Sequence, residues 1–134
     1  LNHNSGLLGL SGQTNDMRTL SDLADQGNQP AQLAIDVFCF RLAKYIAAMM
    51  ASLTRLDALV FTGGIGENSA RVRQQTINHL ALLGFAINRH NNDDNGLNRD
   101  GRIDCKESRF PILVIATDEE RVIAGEAARL AKLN

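Results

Sequence analysis

Cysteine is scarce: Cys39 and Cys105 are the only two among 134 residues. So distant a pair makes neither a zinc motif nor a disulfide framework, and it suits a reducing compartment. No charge of one sign is in excess, with 14 basic against 15 acidic residues. That balance argues against nucleic acid or a membrane surface as partner, since both attract a basic excess. Once Arg41 and Lys44 are counted, no apolar run is long enough to span a membrane. No signal-peptide pattern is visible at the start, and the cysteine usage gives a reducing, cytoplasmic setting as the expectation. Internal repeats and low-complexity linkers are missing too. An initiator methionine is also lacking, and Asn2-His3-Asn4-Ser5-Gly6 has the look of a mid-chain stretch. A piece of a longer protein is therefore expected.

What is present begins with 44% apolar residues, enough for one globular domain with a core. The most telling stretch is Leu59-Val60-Phe61-Thr62-Gly63-Gly64-Ile65-Gly66-Glu67-Asn68. An apolar strand, expected over 57–62, breaks into three glycines and a helix follows. Free N–H groups at such a turn, with the positive end of a helix dipole, favour an anion such as phosphate. The turn lacks the Lys-Ser/Thr ending of a P-loop and the spacing of G-x-G-x-x-G. A tight turn that needs positive φ and binds nothing is the plainer alternative.

Elsewhere, residues 5–18 suggest a polar, glycine-rich loop with a short apolar segment at Leu7–Leu10. A short helix is expected near Leu20–Asp25. Asn28 is placed to cap a helix with Pro30 in its first turn. That helix, Ala31 to about Leu53, is apolar nearly all round, which predicts burial or a partner. Cys39 falls within it, as core. A helix over about 69–82 ends at Gly84. Short strands are expected over 85–88, 102–105 and 112–116, with a mobile loop over 91–101. Thr117 and Glu120 have capping-box spacing at the head of a last helix. Arg71, Arg73 and His79 fit a solvated helix face. The order of elements predicts an α/β fold, with the loops 62–68 and 116–120 at the carboxyl ends of its strands, where ligands usually sit.

Three segments together resemble one family. They are Ser5-Gly6-Leu7-Leu8-Gly9-Leu10-Ser11-Gly12 with Asp16-Met17-Arg18, then Phe61 to Asn68, then Thr117-Asp118-Glu119-Glu120. Their order and spacing are similar to the carboxy-terminal part of acetate kinases and propionate kinases. The resemblance implies an actin-like (ribonuclease H-like) ATPase fold. Residues 1–134 would be most of the second, nucleotide-binding domain of a two-domain enzyme, with the first domain absent. It implies the reaction of ATP and a short carboxylate to ADP and an acyl phosphate, with Mg²⁺, and a homodimer formed through this domain.

By position, the resemblance gives Asp16, Met17 and Arg18 to the nucleotide, with Met17 beside the adenine. Gly64, Ile65 and Asn68 would line the adenosine pocket, and Glu119 would lie near the metal. Thr14-Asn15 replaces the commoner Ser-Ser, and Thr19 stands where an Asp commonly follows the arginine. The family's catalytic arginines, carboxylate-side acid and histidine belong to preceding segments, and His3, His79 and His90 match none of them. No catalytic residue is therefore expected here, and weak nucleotide binding without turnover is the expectation for this chain alone. Plainer uses stay open: a solvated turn for Asp16 and Arg18, an N-cap or a turn residue for Asn68, and the helix dipole for Glu119 and Glu120. Capping assigns Glu120 to the helix and leaves Glu119 for the metal.

Overall fold

Side-chain caps start two of the first three helices, and one of them, Asn28, was expected from the sequence. A computed structural model describes residues 6–117 together with Arg129. Helix α1 is Gly6–Ser11, where a loop was expected. Helix α2, Met17–Asp25, starts at Asp16, whose carboxylate accepts the Thr19 N–H. Helix α3, Gln29–Met50, starts at Asn28, whose side chain accepts the Ala31 N–H at 2.9 Å, and Pro30 sits in its first turn.

Helix α3 buries Ala31, Ala34, Ile35, Cys39 and Ala43, one stripe at three- and four-residue spacing. Four of those five side chains are small, which lets α1 and α2 pack close to it. Its other faces stay open among the described residues, with Leu33, Phe40, Tyr45 and Met49 all half exposed or more. Of the two expectations, burial holds for a single stripe, the side on which α3 has neighbours among the described residues.

Strand β1, Leu59–Phe61, leads through Thr62 into helix α4, Gly63–Asn68. Ser69 breaks the helix and its side chain caps helix α5, Ala70–His79. A 3-10 turn, Ala81–Leu83, then stops at Gly84, whose φ of 90° only glycine adopts readily. Helix α6, Arg89–Asp93, is capped by Asn88, so part of the expected mobile loop is regular structure. Strand β2, Ile112–Val114, pairs parallel with β1 in the register Leu59–Ile112, Val60–Leu113, Phe61–Val114.

The expected strands at 85–88 and 102–105 reduce to single antiparallel bridges, Ile87 to Asp104 and Arg102 to Leu113. Turns on both sides cut the second segment short. Gly101, at φ 79°, lies so close to Val114 that a Cβ would meet its carbonyl oxygen. Ser108 closes a turn onto the Cys105 carbonyl at 3.1 Å.

Two cores result. One gathers Phe61, Ile77, Leu80, Phe85, Ile103 and Ile112 around the strands, and the other gathers Met17, Leu20, Ile35, Cys39 and Val72 between α2, α3 and α5. Each large side chain fully buried there contributes about 1.5–3 kcal/mol. Helix α3 joins the cores, giving Ala43 to the first and its amino-terminal half to the second. This fixes α2 relative to α4 and α5, and a cleft opens between them. No helix among the described residues is long and apolar enough to cross a membrane. The last expected helix and its capping box at Glu120 lie outside the described residues.

Candidate functional site: a cleft between α2 and the glycine turn

The cleft has a volume of about 620 Å³. One wall comes from Asp16, Met17, Arg18, Ser21, Asp22 and Asp25, the other from Gly64, Ile65, Asn68, Ser69, Ala70 and Arg71. All six residues expected at the nucleotide are thus in one place, although about 50 positions of sequence separate the two groups. Glu119 lies outside the described residues.

Each wall owes its shape to local chemistry. Asp16 Oδ1 accepts the Thr19 N–H at 2.7 Å and the Thr19 hydroxyl at 2.9 Å. The backbone bond from Thr19, then the hydroxyl, hold the carboxyl below the usual aspartate range. The threonine that stands in place of an Asp therefore supports Asp16, not Arg18. Arg18 is exposed and lines the cleft. Met17 is buried and joins the second core, so it forms floor as well as wall.

On the opposite wall the glycines differ in kind. Gly63 has φ 72°, which demands glycine. Gly66 sits against β1, where a Cβ would lie 3.3 Å from the Phe61 carbonyl carbon. Gly64 has neither constraint: its φ is ordinary and a Cβ would meet nothing within 4 Å. Ile65 packs on the second core. Asn68 donates from Nδ2 to the Gly64 carbonyl at 2.8 Å, which closes the turn.

One expectation changes here. The Gly63 N–H, read from sequence as free for an anion, donates to Glu67 Oε1 at 2.8 Å. Helix α4 is only six residues long and carries this carboxylate at its start. Glu67 Oε1 also accepts the Thr117 N–H and hydroxyl, each at 2.8 Å. The Thr117 bonds lead in holding its carboxyl below the usual glutamate range. Three aspartates also face the cleft against two arginines. This charge pattern suits an uncharged, hydrogen-bonding group better than a bare phosphate.

The arginines expected on a solvated face are instead structural. Arg71 bonds Asp25 at 2.8 Å, Gln32 at 2.6 Å and the Ser21 carbonyl at 3.3 Å, which ties α5 to α2 and α3. Arg73 is fully buried. Its guanidinium donates to the Gly66 and Glu67 carbonyls, the Asn92 carbonyl and side chain, and the Asn95 side chain, at 2.6–2.9 Å. Burial lowers its pKa from the usual arginine range, and Asp93 opposes that. Sequence periodicity could not reveal it, because Asn92 and Asn95 lie 19 and 22 positions away. His79 is exposed and packs edge-on to Phe40 with centroids 5.4 Å apart. No three His, Cys, Asp or Glu side chains among the described residues converge to hold a metal ion.

Residues 1–125 match the model of the acetokinase family. The acetate kinase of Dichelobacter nodosus is 50% identical over 127 residues, which is 95% of this chain and 32% of that protein. The acetate kinase of Ectopseudomonas mendocina is 53% identical over 124 residues, 92% of this chain and 31% of that protein. Among solved structures, a propionate kinase from Francisella tularensis superposes with a TM-score of 0.78 at 50% identity, covering 87% of this chain and 29% of its own. This chain spans about a third of the length of the curated relatives it matches.

Proposed function

The chain belongs to the acetokinase family, and from that premise we propose that it is the nucleotide-side, carboxy-terminal part of a two-domain, actin-like kinase. The whole enzyme transfers a phosphoryl group reversibly between ATP and a short carboxylate such as acetate or propionate, giving ADP and an acyl phosphate. The observation that carries this reading is the single cleft lined by Asp16, Met17, Arg18, Gly64, Ile65 and Asn68.

In that reading adenosine lies between α2 and the glycine turn. Both bonds of Asp16 fall on Oδ1, which leaves Oδ2 to accept from a ribose hydroxyl. Arg18 stacks on the base or pairs with phosphate. Gly64 lets the base approach the backbone, a use that explains a glycine the fold does not require. The acidic cleft favours the neutral nucleoside end, and the phosphates point toward the carboxyl edge of the strands. In-line phosphoryl transfer depends on such positioning more than on covalent catalysis. Mg²⁺, which neutralises phosphate charge, has Glu119 as its proposed contact, and the described residues supply no cluster for it. Catalytic groups come from the rest of the enzyme, so this chain alone binds nucleotide weakly and does not turn over. A cytoplasmic setting and a homodimer through this domain complete the proposal.

A second reading, a non-catalytic assembly module, draws on the exposed apolar side chains of α3. Titrating ADP with Mg²⁺ into the chain while following amide shifts separates the two. The kinase reading expects saturable shifts at Asp16, Arg18, Gly64 and Ile65, and a raised ATP KM in the whole enzyme when Asp16→Ala is made. An Asp16→Ala enzyme with an unchanged ATP KM would sink it.

A further inference from the structure

Glu67 belongs to no expected site, yet one of its oxygens joins the two loops at the carboxyl edge of the strands. Oε1 accepts the Gly63 N–H, the Thr117 N–H and the Thr117 hydroxyl, all at 2.8 Å. The two loops are 50 positions apart in sequence. Gly63 begins the turn that lines the cleft, and Thr117 directly follows the segment leaving β2. From the other side Arg73 grips the Gly66 and Glu67 carbonyls, so the backbone bearing Glu67 is itself held. A helix end does not need this arrangement. Capping needs only the Gly63 contact, whereas the two Thr117 contacts serve to connect loops.

We propose that Glu67 is a positioning residue that fixes the glycine turn against Thr117, and so holds in place the turn that forms one wall of the nucleotide cleft. This rests on the nucleotide reading above. A carboxylate suits the task because a single charged oxygen takes three donors, and such bonds are short and strong. An amide oxygen accepts the same donors without the charge. A serine at 117 would keep both donors, and a valine would keep only the N–H.

The test is ADP affinity of the whole enzyme by calorimetry, with thermal unfolding of each variant alongside. Glu67→Ala is expected to weaken ADP by about tenfold or more, the scale of bonds lost to a charged acceptor. Glu67→Gln recovers part of that loss, Thr117→Ser none is lost, and Thr117→Val falls between. Glu67→Ala with Thr117→Val is no weaker than Glu67→Ala alone, because both remove one connection. A merely structural role would lower the melting temperature in Glu67→Ala and leave the affinity of the folded protein unchanged. That result overturns the proposal. Should Glu67→Ala not fold, Glu67→Gln and Thr117→Val decide it: affinities within about twofold of wild type, too small for a lost charged hydrogen bond, overturn it equally. Asp16→Ala separates the two ideas. If neither it nor the Glu67 variants alter ADP affinity, the nucleotide reading fails; if it alone does, only the role of Glu67 fails.

Discussion

Gly64 stands where an alanine would fit the fold, since an added Cβ meets nothing within 4 Å and φ is ordinary. Alanine in a helix is favoured over glycine by roughly 0.5–1 kcal/mol. Gly64→Ala is therefore expected to leave unfolding stability unchanged or slightly raised while ADP binding weakens. Urea unfolding and calorimetry on one sample check both halves. Gly63, held at φ 72°, should show the opposite order, with stability lost first. Arg73 is different again, because its buried guanidinium satisfies backbone and side-chain oxygens of α4, of α6 and of Asn95 just beyond it. Arg73→Met leaves those oxygens without donors and should cost about 3–5 kcal/mol in urea unfolding. Lysine will not restore it, as a point ammonium cannot reproduce the planar fork. Cys39 needs no functional account: burial pushes its thiol up to about 11, which keeps it an inert core residue.

Among the elements, β2 depends on a carboxylate next to it. Asp104 is buried and accepts two bonds from Arg102, at 2.7 and 3.2 Å, and the Ile112 N–H at 3.1 Å. Burial alone would raise its pKa, but Arg102 and the Ile112 N–H together hold it below the usual aspartate range. A carboxyl with a lowered folded pKa contributes stability that is full above its unfolded value, about 3.9. That contribution is lost as pH falls through the lower folded value. Melting temperature should therefore drop between about pH 4 and pH 3, below the unfolded value, and drop less in Asp104→Asn. Melts across that range check the sign. At the same scale, the cap of α3 and the stop of the 3-10 turn were legible in the sequence, whereas the Asp16 cap of α2 was not read there. Asn28 and Gly84 act on backbone groups within four residues, and such contacts leave a local signature. The segments 85–88 and 102–105 looked like strands because their side chains alternate. They make only bridges, since strand length depends on partners and on the turns that bound them.

For the whole molecule, α3 sorts its apolar side chains between an interior stripe and open faces. Phe40, Tyr45 and Met49 expose half or more of their surface. If the proposed homodimer uses them, sedimentation at rising concentration should show the whole protein as a dimer, and Tyr45→Glu with Met49→Glu should shift it to monomer. A strict monomer at every concentration removes the dimer from the proposal.

By itself the sequence determined the Asn28 cap, the long helix α3, the strand at 59–61 and, through the spacing of its motifs, the family. The resemblance also supplied six of the twelve residues that line the cleft. Tertiary structure alone decided that Arg73 is buried, that Arg71 braces α2, and that Glu67 reaches Thr117. The physical reason is separation along the chain. Capping and amphipathic packing act over three or four residues and are written in local spacing. The partners of these three charged groups lie up to 50 positions away and come within hydrogen-bonding distance only when both cores have closed.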